Sequence, residues 1–233
     1  MPPTDVIPEN AQPHEIPALP RDQIVKALDI ALLRPDATLQ DASGAAREVE
    51  EIGAASVCVA SYNVAVAKQV TPRVCSVVGF PHGNTSPEVK LLETMRAIDD
   101  GAVEVDVVIN YGRFLEGRIV VVAQELGRIV KAAHDRKVLV KAILETCYYQ
   151  PRQVLEATRL CVDYGVDFVK TSTGFGPSGA TPWAVELMLE AAQGAAKVKA
   201  SGGIKTHQDA CLYLGLGCTR LGVGVANYKG LLP

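Results

Sequence analysis

Val166-Asp-Phe-Val-Lys170, followed at once by Thr171-Ser-Thr-Gly174, has the shape of a short buried strand that ends on a lysine and leaves through a glycine-bearing turn. The same pattern recurs in Lys197-Val-Lys199, followed by Ala200-Ser-Gly-Gly203. Burial disfavours an ammonium group, and each of two neighbouring cations disfavours charge on the other. Two lysines at the tips of adjacent strands therefore point to a use for a neutral amine, which attacks carbonyl groups.

Outward from these two runs the chain alternates short apolar segments with longer amphipathic ones. The strand candidates are Leu28–Leu32, Ser56–Ala60, Val74–Phe80, Val103–Asn110, Val138–Glu145, Asp167–Thr171, Lys197–Ala200 and Arg220–Val223. Helix signals lie between them. Ser86 before Pro87 reads as a cap with proline in the first turn, and Gly101 closes that segment. Pro151 opens a helix that Gly165 ends, Thr181 with Pro182 opens another, and Thr206 caps a further one. Eight strand-helix units predict a single-domain α/β fold, a closed (β/α)8 TIM barrel. The competing open, doubly wound sheet usually carries a glycine-rich turn after its first strand, and none follows Leu32. The stretch after Val225 is too short for a full last helix, so the final unit is expected to be truncated.

Composition narrows the function. The chain has 233 residues, 48% of them hydrophobic, with a formal net charge of -3 and no basic stripe, so a nucleic-acid or anionic-membrane partner is not expected. The longest apolar runs, such as Ile119-Val-Val-Val-Ala123, fall far short of the ~20 residues of a spanning helix. No basic-then-apolar leader opens the chain and no cysteine pair has C-x-x-C spacing, so the six cysteines are expected to be free thiols in a reducing cytoplasm. Residues 1–20 carry six prolines and read as a mobile arm, leaving residues 21–233 as the barrel.

Side chains along a barrel strand alternate between the interior and the helix layer. Within Val103–Asn110, Glu104, Asp106 and Val108 share a face, and Val105, Val107 and Ile109 the opposite, helix-facing one. The same parity pairs Lys141 with Leu139, Lys170 with Phe168, and Lys199 with Lys197. The interior then gathers Asp106, Lys141, Lys170 and Lys199, with Glu104 deeper. These positions lie at or near the C-terminal strand ends, where this fold carries its active sites. Buried charges persist when paired or used. Lys141 and Glu104 fit a structural pair as well as they fit chemistry, while the other three are the catalytic candidates.

The strand exits supply a second set. Gly174, Gly202, Gly203, Gly222 and Gly224 follow strands six, seven and eight, where bare backbone N–H groups can approach a phosphate. Tight turns would explain the same glycines. Cys58 shares parity with Ser56 and Ala60 and is placed on the cavity wall as an inert thiol. His82, after strand three, reads as a loop residue. No His, Cys and carboxylate cluster has metal-ligand spacing, and no Gly-x-Ser-x-Gly elbow is present, so neither a metal site nor a serine hydrolase is expected.

Asp167–Gly176, Val198–Ile204, Glu104–Val108, Gly79–Gly83 and Leu28–Thr38 resemble the deoxyribose-phosphate aldolase family, over about residues 24 to 226. The resemblance implies a class I aldolase without cofactor or metal. It would cleave 2-deoxy-D-ribose 5-phosphate reversibly to acetaldehyde and D-glyceraldehyde 3-phosphate, and would be a homodimer or homotetramer. By motif position Lys170 matches the Schiff-base lysine, Lys199 the lysine that perturbs it, and Asp106 the aspartate of the proton relay. The chain departs from the family pattern at Asp29-Ile30-Ala31, where Asp-His-Thr is usual, at Ala60, where asparagine is usual, and at Gly222-Val-Gly-Val225, where Gly-x-Ser-Ser is usual. The last change removes two hydroxyls that hold phosphate. Two further readings follow: a related Schiff-base aldolase for an unphosphorylated aldehyde, and a degenerate barrel that only binds.

Overall fold

The structure is a computed structural model that describes His14 and residues 16–233. In chain order, α1 (Arg21–Ala27) leads into β1 (Leu28–Leu32), α2 (Leu39–Ile52), β2 (Ser56–Val59), α3 (Val64–Lys68), β3 (Val74–Val78), α4 (Pro87–Asp99), β4 (Glu104–Val108), α5 (Tyr111–Leu115) and α6 (Ile119–His134). Then come β5 (Leu139–Ile143), α7 (Pro151–Asp163), β6 (Phe168–Lys170), α8 (Pro182–Ala192), β7 (Lys197–Ser201), α9 (His207–Leu216) and β8 (Arg220–Gly224). The strands are all parallel and pair in sequence order, and β8 closes on β1. This is the (β/α)8 barrel read from the sequence. After β8 only a single 3-10 turn, Tyr228–Leu231, stands in for a last helix.

Local chemistry sets the element ends. Thr38 and Asp41 form a reciprocal capping box at α2, and Thr206 with Asp209 does the same at α9. Thr181 caps α8 through the Ala184 amide, with Pro182 in the first turn. Ser86 occupies the cap position of α4, but its side chain makes no cap hydrogen bond. Several strands end earlier than their apolar runs. The β3 run stops at Val78 because Gly79 turns into the left-handed region, and β5 stops at Ile143 ahead of Glu145, which has φ 57°. The early end of β5 places Glu145 in the loop above the barrel mouth.

The core has two layers. Valine, isoleucine and alanine on the outward strand faces pack under the helices, as with Val105, Val107, Val140, Val169 and Val198. The inward faces carry the charged groups, and these are buried too: Asp29, Asp106, Lys141, Lys170 and Lys199 are all 3% exposed or less. Of the arm expected over residues 1–20, His14 and residues 16–20 are described. Leu19 packs against the core and the Pro17 ring lies over Gly215 of α9; the rest of the arm lies outside the described residues. No helix among the described residues is long and apolar enough to cross a membrane.

Candidate active site

Barrel parity brings the predicted charges together. Register places Asp106 beside Lys141 across β4 and β5, and Lys170 beside Lys199 across β6 and β7. Asp106 sits at the centre. Its Oδ2 accepts from Lys170 Nζ at 2.8 Å and from Lys199 Nζ at 2.8 Å, and its Oδ1 accepts from Lys141 Nζ at 2.8 Å. One layer deeper, Glu104 accepts from Lys141 at 2.5 Å and from Arg220 at 2.8 Å, the structural pairing that the sequence reading had left open. Phe168 fills the space beneath, its ring facing Lys141, Lys197 and Arg220 at 5.5–5.8 Å.

Three members of this network had not been singled out. Asp29 on β1 accepts from Lys199 at 2.6 Å and from the Ser56 hydroxyl at 2.7 Å, and it also binds Arg220. The signal for Asp29 was present: it has the parity of Ala31, and Arg220 has that of Gly222. What it lacked was a partner close in sequence, since Lys199 lies 170 residues away.

The expected interplay between the two lysines takes a different form. Like-charge repulsion was expected to act directly between Lys199 and Lys170. Instead the same carboxylate oxygen stands between them and screens each from the other. Burial alone would lower the Lys199 amine, but Asp106 and Asp29 outweigh it and hold Lys199 above its ordinary value. Burial would likewise raise Asp106, yet Lys141, Lys170 and Lys199 hold its carboxyl well below the usual range. The buried network counts four basic groups (Lys141, Lys170, Lys199 and Arg220) against three carboxylates (Asp29, Glu104 and Asp106).

Above the network a cavity of about 450 Å³ opens at the C-terminal ends of the strands. Lys170 and Lys199 form its floor, and Cys58, Gly174, Gly202, Gly203, Gly222 and Gly224 all line it, as the sequence placed them. Gly202 is required sterically: it has φ +84° and a Cβ there would meet Gly179 Cα at 2.9 Å, where the exits of β6 and β7 cross. Gly222 is required by proximity, since a Cβ would meet Ser201 at 2.7 Å and Lys199 Cε at 3.1 Å. The cavity rim also holds Arg34, Phe175 and Lys205, which sequence reading passed over. His82 lies exposed in the turn after β3, the loop position expected of it.

The loops around the amine are pinned. The Thr171 hydroxyl accepts from the Ser201 amide at 3.0 Å and donates to the Ser201 carbonyl at 3.1 Å. Glu145, buried after β5, accepts from both the hydroxyl and the amide of Thr173. Among the described residues, Cys58, Cys75 and Asp106 form the one group within reach of a shared metal ion, which strand spacing in sequence had not suggested. They do not fit a cation. Asp106 is saturated by three ammonium groups, and burial and Asp106 push the Cys75 thiol well up, so the thiolate a metal needs is disfavoured.

Residues 16–213 match the family described as DeoC/LacD family aldolase. The chain is 40% identical over 214 residues to the deoxyribose-phosphate aldolase of Treponema denticola, covering 89% of this chain and 99% of that one. It is 42% identical over 218 residues to that of Carboxydothermus hydrogenoformans, covering 90% and 96%. Among solved structures it superposes on QR15, an aldolase, with a TM-score of 0.84 at 35% identity, covering 88% and 92%. It superposes on the tetrameric deoxyribose phosphate aldolase of Aeropyrum pernix with a TM-score of 0.81 at 32% identity, covering 91% and 90%.

Proposed function

This chain belongs to the DeoC/LacD aldolase family, and from that membership we propose that it is a class I deoxyribose-phosphate aldolase with Lys170 as its Schiff-base lysine. It cleaves 2-deoxy-D-ribose 5-phosphate reversibly to acetaldehyde and D-glyceraldehyde 3-phosphate. The observation that carries the residue assignment is the Lys170 amine on the cavity floor, 2.8 Å from the carboxylate that also holds Lys199.

In cleavage, neutral Lys170 Nζ adds to the aldehyde carbon of the substrate, and the carbinolamine loses water to give an iminium. The hydroxyl proton on the third carbon leaves to a base as that carbon becomes the new carbonyl. The bond between the second and third carbons breaks, and its electron pair moves to the iminium as an enamine. D-glyceraldehyde 3-phosphate departs. Protonation of the enamine carbon and addition of water then release acetaldehyde and the amine. Asp106 and Lys199 carry the protons, since one is a carboxylate and the other an ammonium within hydrogen-bond reach of Lys170. Lys199 also holds the Asp106 carboxylate in place beside the nucleophile.

The rim glycines and Lys205 receive the phosphate in this reading. The enzyme works as a homo-oligomer in a reducing cytoplasm. Exposed Val89, Leu92 and Met95 on α4 with Val120 and Val121 on α6 favour association, and six unpaired cysteines favour the compartment. Light scattering on the purified protein measures the assembly. The decisive experiment for function is incubation with acetaldehyde, borohydride reduction and peptide mass mapping, beside a cleavage assay on deoxyribose 5-phosphate. An ethyl group on Lys170 and turnover of the sugar phosphate are expected. Labels scattered over surface lysines, without turnover, would remove the assignment.

A further inference from the structure

Among the described residues five carboxylates are buried: Asp29, Glu104, Asp106, Glu125 and Glu145. The first four each form a salt bridge with a lysine. Glu145, 1% exposed, forms none among the described residues, and burial pushes its carboxyl up. Its backbone is also unusual, with φ 57° in the left-handed region. Lys137 and Gln193 share that conformation, but both are exposed. A buried carboxylate without a cation and a left-handed backbone at a residue other than glycine each cost free energy. Such features persist where the surrounding structure over-determines them.

Both costs serve one contact. Glu145 opens the 3-10 turn Thr146–Tyr148 but makes no cap hydrogen bond to it. Its carboxylate crosses instead to the turn after β6, where it accepts from the Thr173 amide at 3.3 Å and from the Thr173 hydroxyl. A carboxylate suits two converging donors because it only accepts. The Thr173 hydroxyl in turn accepts from the Phe175 amide at 3.0 Å. A Cβ on Gly176 would meet Cys147 Sγ at 3.1 Å and Glu145 Cδ at 3.2 Å, so the turn lies directly on the carboxylate. The turn held in this way carries Thr173, Gly174 and Phe175 along the cavity. The Phe175 ring meets the ring of Phe80, from the exit of β3, edge to face with centroids 5.3 Å apart. Lys170 is held separately: its carbonyl accepts from the Leu144 amide at 3.0 Å, and the next amide, of Thr171, donates to the Lys199 carbonyl at 3.1 Å.

We propose that Glu145 is a positioning residue for the aldolase reaction: acting through Thr173, it fixes the turn after β6 and seats Phe175 against Phe80 at the barrel mouth. This rests on the aldolase reading of Lys170. Glu145 is not among the residues that line the cavity, so its influence reaches the substrate through the turn. Because sheet hydrogen bonds hold Lys170 independently, the effect falls on how the sugar phosphate is bound, and Schiff-base formation with a molecule as small as acetaldehyde is spared.

The test measures kcat and KM for cleavage of deoxyribose 5-phosphate in the wild type, Glu145→Gln, Glu145→Gly, Thr173→Val and the Glu145→Gly/Thr173→Val double variant. The rate of acetaldehyde-borohydride labelling of Lys170 in each reports a folded barrel with its amine intact. Glycine accepts the left-handed backbone at position 145, so Glu145→Gly removes the carboxylate without backbone strain. KM is expected to rise about ten-fold or more in Glu145→Gly and less in Glu145→Gln, which keeps one acceptor, with the labelling rate within about two-fold of wild type. Thr173→Val is expected to raise KM as well, and the double variant to lie within about two-fold of Glu145→Gly alone, since both changes break one connection. A KM in Glu145→Gly within about two-fold of wild type overturns the proposal, as do multiplying effects in the double variant. Labelling that slows in proportion to the rise in KM also overturns it, by making Glu145 a general support of the fold. Absence of Lys170 labelling in the wild type itself instead overturns the aldolase reading.

Discussion

Asp106 does at the residue scale what neither lysine can do alone. Its two oxygens accept from three buried lysine amines at once, which sets Lys141, Lys170 and Lys199 around one carboxylate. Lys199 donates to the same Asp106 oxygen as Lys170, so its removal takes a proton carrier from that carboxylate. Lys199→Met is therefore expected to lower kcat by about 10²-fold or more with Lys170 still labelled by acetaldehyde and borohydride. An unchanged kcat would mean that Lys199 only packs. Asp106→Asn keeps the shape but loses the proton acceptor, so kcat is expected to fall by about 10²–10⁴-fold with Lys170 still labelled on long incubation. Cys147 illustrates a group the chemistry does not use: burial and the Glu145 carboxylate push its thiol up to about 11, so slow alkylation near neutral pH is expected.

At the scale of elements, α4 is the part that fixes the β3 and β4 exits. Lys90, buried on its inner face, donates to the Val108 carbonyl at 2.8 Å and to Glu125 of α6 at 2.7 Å. Glu93, on the same helix, accepts from the Gly79 amide at 2.8 Å. A Cβ on Gly79 would collide with Lys90 Cε at 2.7 Å, so the helix stem and the turn after β3 are fitted to each other. Burial pushes the Glu125 carboxyl up and the Lys90 amine down, and their attraction opposes both shifts. Lys90→Met strands a buried carboxylate and is expected to cost about 3–5 kcal/mol in urea unfolding. The Lys90→Met/Glu125→Leu double variant should recover much of that loss, and failure to recover would assign the cost to the lost Val108 contact instead. This pairing was invisible in the sequence, where Lys90 and Glu125 look like ordinary surface charges on two amphipathic helices. The caps at Thr38, Thr181 and Thr206 were easier to read because their partners lie three residues away.

For the whole molecule, the buried network ties stability to pH at both ends. Asp29 and Asp106 have folded values below their unfolded ones, so their contribution is complete above the unfolded carboxylate value of ~3.9 and is lost as pH falls through the folded values. Lys141 and Lys199 have folded values above their unfolded ones, so their contribution is complete below ~10.4 and is lost as pH rises through the folded values. Thermal unfolding is expected to give a Tm that is nearly level between about pH 5 and 9 and that falls on both sides, with a shallower acid limb in Asp29→Asn. An acid limb of unchanged steepness in that variant would show that exposed carboxylates set it. The amino-acid sequence by itself determined the barrel, because alternating valine-rich runs and capped helices are local patterns with few ways to pack. It also determined that Lys170, Lys199 and Asp106 face one interior, because strand parity is fixed by the two-residue repeat. Only the tertiary structure decided what those charges do to one another. The closure of β8 on β1 brings Asp29 and Arg220 into the network and sets one carboxylate between two lysines. Coulomb interaction depends on distance through space, and that distance exists only once the cylinder is closed.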